Sequence, residues 1–418
     1  MKINQVANIL NDVFFPESTN EEQTFPPIAD DLSNVVELGT KITSSSNFGT
    51  MMNGYLKNIF DKVGQTVYSD MSYESGGFDL HVTDAELGGI LEKIRIEAPD
   101  FEDNKAWNFD TSSGWSTHDD MFGYHPVEVE ATYFDSKSTY RTKPYTITEK
   151  QFRSAFTSID SVLEFIGRIE SRVKAKYNLA ITLLNHRAVV ALIAERLKAY
   201  SNNVAGNGII DMTTEYINDT GDTAFDSATW KTNHKFLLWA NTYMRQIYDI
   251  MREPNGMFNP TGYISQTTAD NSKFYLLSDL SRAIESYVYR SSYNVEDVRL
   301  TGYKTIAYWQ KMGKETFVRG YVNAIPPSEG EPPSEGEDTR TAYNAQVLGV
   351  IFNRYAAFIN AKRIETGVQN NPFDKWNNYI HLFEAGYYVD PDENAVIFII
   401  TQHSPETTNK TETTKKAK

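Results

Sequence analysis

Residues 161–200 restrict the fold more than any other stretch, because they form one helical pattern of about forty residues with no proline and one glycine, Gly167. Val162, Leu163, Ile166, Ile169, Val173, Tyr177, Ala180, Ile181, Leu184, Ala188 and Ala191 recur at spacings of three and four, so a single apolar stripe faces a partner. At about 1.5 Å per residue such a helix spans on the order of 60 Å. That is longer than a rounded domain needs, and it predicts a flat, extended subunit braced along one axis. Ser161 with Glu164 three residues later has the form of a capping box, which predicts the helix start. Asn202, Asn203, Gly206 and Gly208 mark its end.

Composition removes several classes of function. The 418 residues contain no cysteine, which excludes disulfides, thiolate catalysis and cysteine zinc sites. A net charge of −15 argues against general nucleic-acid affinity, which needs clustered Lys and Arg. No window approaches eighteen uninterrupted apolar residues, so no membrane span is expected. The start, MKINQVANILNDVFF, lacks the order of a secretory signal, and a cytoplasmic origin is expected. With 25 Tyr and 23 Phe the chain is rich in aromatics, which suits wide protein interfaces or platforms for sugars.

Along the chain, 1–36 reads as an acidic arm with a short helix at 6–14, and 47–63 as a second helix. Short strands are predicted at 66–68 and 80–82, with a turn at Gly76 and Gly77. From 93 to 147 the period changes to two: Ile94 and Ile96 alternate with charge, as do Val127, Val129, Ala131 and Tyr133. The polar, aromatic residues between them, including Trp107 and Trp115, predict a long projecting two-stranded loop. Residues 204–345 mix helices (233–251, 279–289) with a strand (274–277), an α+β pattern. Within it the duplication PPSEGEPPSEGE, 326–337, is a surface loop. Strands return at 347–352, 355–359, 376–383 and 395–400, and 403–418 reads as a disordered tail with four Lys.

Motifs for chemistry are sparse. His118, Asp119, Asp120 and His125 come nearest to a metal cluster, but they sit in the projecting loop, where polar residues are expected anyway. Asp390, Asp392 and Asn394 open like a calcium loop, yet Ala395 and Thr401 stand where its Gly and bidentate Glu belong, so a plain turn is expected. Glu128 and Glu130 could pair for glycoside chemistry but read as a solvated strand face. Arg168, Arg172, Lys174 and Lys176, balanced by Glu164 and Glu170, read as helix-surface ion pairs. No nucleotide loop or nucleophile elbow is present. No catalytic, cofactor-binding or metal-binding residue is assigned, and no cofactor.

Three stretches carry a resemblance: 35–73, 140–180 and 359–399. The last contains Glu365, Thr366, Asn371, Pro372, Trp376, Asn377 and His381. In content and order the chain resembles the major capsid (head) proteins of small tailed phages, the podovirus type with protein-primed DNA replication. The resemblance implies an α+β, Hong Kong 97-like fold: N-terminal arm 1–36, first helix of the P-domain 37–66, extended loop (E-loop) 67–147, spine helix 148–203, A-domain 204–345, P-domain strands 346–402 and tail 403–418. It implies a non-enzymatic shell protein of the virion, assembled in the host cytoplasm. Its implied partners are other copies of itself in hexamers and pentamers, a scaffolding protein, a portal or connector, and double-stranded DNA held by weak contact, with no membrane. The alternative from another class is an aromatic-rich carbohydrate-binding or carbohydrate-active protein. Because a Pro- and Glu-rich loop carries no core, a peptide tag inserted between Glu331 and Pro332 is expected to leave assembly intact, as scored by particle yield.

Overall fold

The run AVIFII at 395–400 is apolar without alternation, which suits a strand covered on both faces. A computed structural model of the chain describes residues 77–83, 90–97, 128–135, 139–141, 145–148, 159–289, 302–312, 316–324, 343–371 and 376–403, with 29, 33, 34, 36, 37 and 300 besides. The expected helices at 6–14 and 47–63, the strand at 66–68, the stretch carrying Trp107 through His125, the duplicated loop and 404–418 lie outside the described residues.

Strands β1 (His81–Thr83), β2 (Ile90–Glu97), β3 (Glu128–Asp135), β4 (Thr139–Arg141) and β5 (Tyr145–Thr148) precede helix α1 (Ile159–Ser201). Strand β6 (Ile209–Asp211) leads into helices α2 (Met212–Thr220) and α3 (His234–Met251). Strand β7 (Ser272–Leu277) leads into α4 (Ser278–Ile284), which continues as a π-helical turn (Glu285–Tyr289). Next come β8 (Lys304–Ile306), β9 (Gln310–Met312), β10 (Thr316–Val318) and β11 (Tyr321–Ala324). The long strands β12 (Tyr343–Asn353), β13 (Ala357–Asn371) and β14 (Trp376–Val389) precede β15 (Ala395–Ile400).

Two larger sheets result. The first has the order β6-β15-β12-β7-β8 with β11 also on β12; β6 and β8 add in parallel. The second has the order β1-β13-β14-β4 with β5 also on β14. Residues 346–402 thus serve both sheets. Strands β12 and β15 complete the sheet built by 204–345, whereas β13 and β14 form the second.

Side-chain alternation along β15 divides the layers of the first sheet. Val396, Phe398 and Ile400 join Phe274, Leu276, Leu348 and Ile351 in one cluster with Met212 and Tyr216 of α2, Phe236, Leu237, Met244 and Ile247 of α3, and Leu280 of α4. Tyr275 turns to the other side, toward α1, where its ring meets Phe78 at 4.9 Å and Phe78 meets His186 of α1 at 4.8 Å. With helices on both sides, all six residues of β15 are buried. Burial also keeps His186 below the ordinary histidine pKa, against the raising effect of its Nδ1 bond to the Trp309 carbonyl (3.0 Å).

Helix α1 has 43 residues and packs on β11, β13 and β14 through Val173, Tyr177, Ile181, Leu184, Ala188 and Leu192. Residues Ser171–Ser201 are long and apolar enough, by length and composition, to cross a membrane; here most of that stretch is core against strands. The helix begins at Ile159, so Ser161 lies inside it and is not its cap. Glu164 pairs forward with Arg168 at 2.5 Å, one turn on, where the capping box had it reaching back. The end is as expected: Asn203 adopts φ 55° and the Val204 N–H closes on the Ala199 carbonyl at 3.0 Å.

Beyond α1 the chain passes tightly against β15. Gly208 has φ 72°, and a Cβ there would stand 1.9 Å from the Ala395 carbonyl oxygen. Gly208→Ala is therefore expected to destabilise the fold by about 3 kcal/mol or more, read as a lowered denaturant midpoint with an unchanged slope.

Candidate functional site

The turn between β14 and β15, Asp390 to Asn394, is the one that opens like a calcium loop. In the fold its acidic groups are met by cations from two distant elements. Asp390, its side chain 3% exposed, accepts from Lys93 Nζ of β2 at 2.5 Å, and Glu393 accepts from the same ammonium at 3.1 Å. Arg95, two residues along β2, stands 3.6 Å from Asp392 and lays its guanidinium 4.2 Å over the Tyr263 ring. Arg196 of α1, fully buried, donates through Nη2 to the carbonyls of Pro391 (3.2 Å) and Glu393 (2.6 Å). Asn353 donates to the other Glu393 oxygen at 2.9 Å. Asn394 donates to the carbonyls of Ser265 (2.9 Å) and Asn255 (3.4 Å) and accepts from Asn259 (3.3 Å).

Burial works to lower the Lys93 pKa, but the hydrogen bond and charge of Asp390, with Glu393 beside it, hold it above the ordinary lysine value. Burial pushes the Arg196 guanidinium down to about 10 against the opposing charges of Glu195, Asp390 and Asp392, so it stays charged at neutral pH. The junction is a clasp between β2, α1 and the loop at 255–265. Among the described residues no group of three or more His, Asp or Glu is placed to hold a metal ion.

What the clasp holds is the ribbon of β2 and β3. The register pairs Ile94 with Ala131, Glu92 with Tyr133 and Arg95 with Glu130. Because side chains alternate, Lys93, Arg95 and Phe134 share the inward face, and Phe134 meets the rings of Phe358 and Tyr388 at 6.3 Å. The opposite face carries Ile94, 59% exposed, and Tyr133, 64% exposed. Against the usual pattern, two cations point inward and two large apolar side chains point outward, beside the exposed Glu92. A hydrogen bond to Glu92 raises the Tyr133 pKa.

The remaining sequence candidates are scattered. Glu128 and Glu130 belong to β3, in register with Glu97 and Arg95 of β2. Arg168 makes the expected helix-surface pair with Glu164, and Arg172 and Lys176 are exposed. His118, Asp119, Asp120 and His125 lie outside the described residues. The motif at 365–381 is one hairpin register: Thr366 opposite His381, Glu365 opposite Leu382, and Asn371 opposite Trp376. Sequence reasoning left out Lys93, Arg95, Arg196 and Asn353. One available signal was Arg196 itself, a charge inside the apolar stretch VVALIAERL.

A family model for the Phi29-like phage major capsid protein matches residues 14–399, and the chain belongs to that family. No curated protein matches it. Among solved structures it is similar to the capsid of Staphylococcus phage Andhra, with 10% identity over 77% of this chain and 83% of that one and a TM-score of 0.47. It is also similar to the capsid of cyanophage P-SCSP1u, with 9% identity over 79% and 90% and a TM-score of 0.41. The protein is a structural, shell-forming component of a phage virion with a capsid-like fold of mixed α and β content. Family membership decides for the shell and against the carbohydrate alternative.

The clasp is testable from both sides. Arg196→Met leaves the Pro391 and Glu393 carbonyls without this donor and is expected to cost about 2–3 kcal/mol. Lys93→Met leaves the Asp390 carboxylate, 3% exposed, without its ammonium and is expected to cost about 3 kcal/mol or more; urea unfolding of both variants checks the two losses.

Proposed function

We propose that this capsid protein assembles into hexamers and pentamers of an icosahedral head shell around double-stranded DNA, with the Hong Kong 97 arrangement of parts. In this reading 1–36 is the arm, 37–66 the first P-domain helix, 67–147 the extended loop with β2 and β3 as its base, and α1 the spine helix. Residues 204–345 are the A-domain, closing their sheet with β12 and β15; 346–402 supply the P-domain strands and 403–418 a tail. A scaffolding protein, a portal and packaged DNA are further partners, the DNA by weak contact because the chain carries −15. Assembly takes place in the host cytoplasm.

One observation carries the self-association: the clasp fixes a ribbon whose large apolar side chains, Ile94 and Tyr133, face solvent. A rigid apolar face gains free energy only when a partner covers it, and in a ring that partner is a different surface of the next copy. The high content of Tyr and Phe supports extensive interfaces of this kind.

Purified protein imaged by negative stain, with and without a co-expressed scaffold, is expected to give closed shells or six- and five-membered rings. Monomers under every assembly condition would overturn the reading. In the double variant Ile94→Asp and Tyr133→Ser, both changes are at exposed positions. Its stability is expected to stay within about 0.5 kcal/mol of the parent while particle yield collapses.

A further inference from the structure

We propose that the lysine-bearing segment 404–418 docks within its own subunit on an aromatic ledge with an acidic rim formed by α2 and α3. The ledge is the stacked pair Trp239 and Tyr243, one turn apart on α3, with ring centroids 4.7 Å apart and planes inclined by 20°. Both rings are half-buried, Leu238 beside them is exposed, and Tyr216 supports Trp239 edge-on at 5.4 Å. Helix α2 supplies the rim. Asp219 accepts from Trp239 Nε1 at 3.0 Å, Asp222 accepts from the Tyr216 hydroxyl at 3.3 Å, and Glu215 lies one turn before Asp219.

Burial, with the charges of Glu215 and Asp219 added, pushes the Tyr243 hydroxyl up to about 12. None of the three carboxylates pairs with a lysine or arginine among the described residues. An indole–phenol stack bordered by carboxylates suits an alkylammonium: the ring faces attract the cation, the rings cover its methylene stem, and the carboxylates accept its N–H groups.

The chain itself delivers such a group. After β15, Thr401 donates through its N–H and Oγ1 to Asp211, the residue capping α2, at 3.3 and 2.7 Å. Thr213 donates to the Thr401 carbonyl at 3.1 Å. The Ser227 N–H then donates to the His403 carbonyl at 3.0 Å, and the His403 N–H to Ser227 Oγ at 2.8 Å. Residue 401 is therefore fixed at the start of α2, a helix of nine residues and about 13 Å, and residue 403 is fixed beside Ser227, between α2 and α3 in the chain. Seven extended residues reach about 23–25 Å, enough to bring Lys410 to the ledge, and Lys415, Lys416 and Lys418 follow. Four Lys against two Glu make 404–418 cationic in a chain of net charge −15.

Limited trypsin digestion of the unassembled full chain tests this, with release of the peptides after Lys410, Lys415 and Lys416 followed by mass spectrometry. Cleavage is expected to be about fivefold to tenfold slower than in the free peptide 404–418 at low salt. The protection is expected to vanish in 0.5 M salt, relative to the same peptide control, and in the double variant Glu215→Gln and Asp219→Asn (on the order of one Debye length at that salt is a few ångströms). Equal rates for chain and peptide at low salt would overturn the proposal, and so would protection that survives both treatments. Protection found only in assembled particles would also overturn it, by assigning the segment to a neighbouring subunit or to DNA. The salt arm needs no variant, and the outcome does not depend on whether hexamers and pentamers form.

Discussion

The attachment of the ribbon to the body depends on neutralising charge in a place where water is scarce. Lys93, Arg95 and Arg196 converge on a turn that supplies Asp390, Asp392 and Glu393. Each group alone would be costly to desolvate; together the three cations and three carboxylates balance, and the free carbonyls of the turn take up N–H groups of Arg196. Such a set adds little net stability over an apolar contact of equal size. Its value is geometric, because the arrangement tolerates only one relative position of β2, α1 and the turn. The ribbon's direction follows from that constraint.

The same constraint accounts for the outward apolar groups of the ribbon. Once Lys93 and Arg95 are committed inward, the pleat forces Ile94 and Tyr133 outward. A monomeric protein would place polar groups there. In a chain of the Phi29-like capsid family, outward apolar groups of this kind support the proposed contact with a second copy.

The long helix was legible because its stripe persists for many turns, and β15 because an unbroken apolar run has few alternatives. The two strands of the ribbon were legible from their alternation, though not which face turned inward: period two gives the faces, and only the position of Asp390 and Asp392, some 300 residues away, decides between them. Asp390, Asp392 and Asn394 were noticed for their calcium-like spacing. Carboxylates at that spacing serve cationic side chains equally well, and nothing local distinguishes the two uses. The start of α1 was misplaced for a related reason: Ser161 and Glu164 satisfy a capping pattern, but a helix held by tertiary packing can begin before its best local signal. Helix α2 and the short strands β8 and β11 lack any strong period of their own and form because β7, β12 and β15 offer them edges and faces, while β9 and β10 pair with each other.

Strand β15 lies in the interior of the first sheet, between β6 and β12, yet it is the last in chain order among the described strands. On the ribosome, β6, β7 and β12 emerge long before the strand that must separate β6 from β12. Until residue 400 has been made, the sheet lacks the strand that joins β6 to β12, and the turn at 390–394 that grips the ribbon is missing as well. Synthesis itself thus sets a clock: until β15 has been translated, a nascent subunit has neither a finished core nor an aimed ribbon.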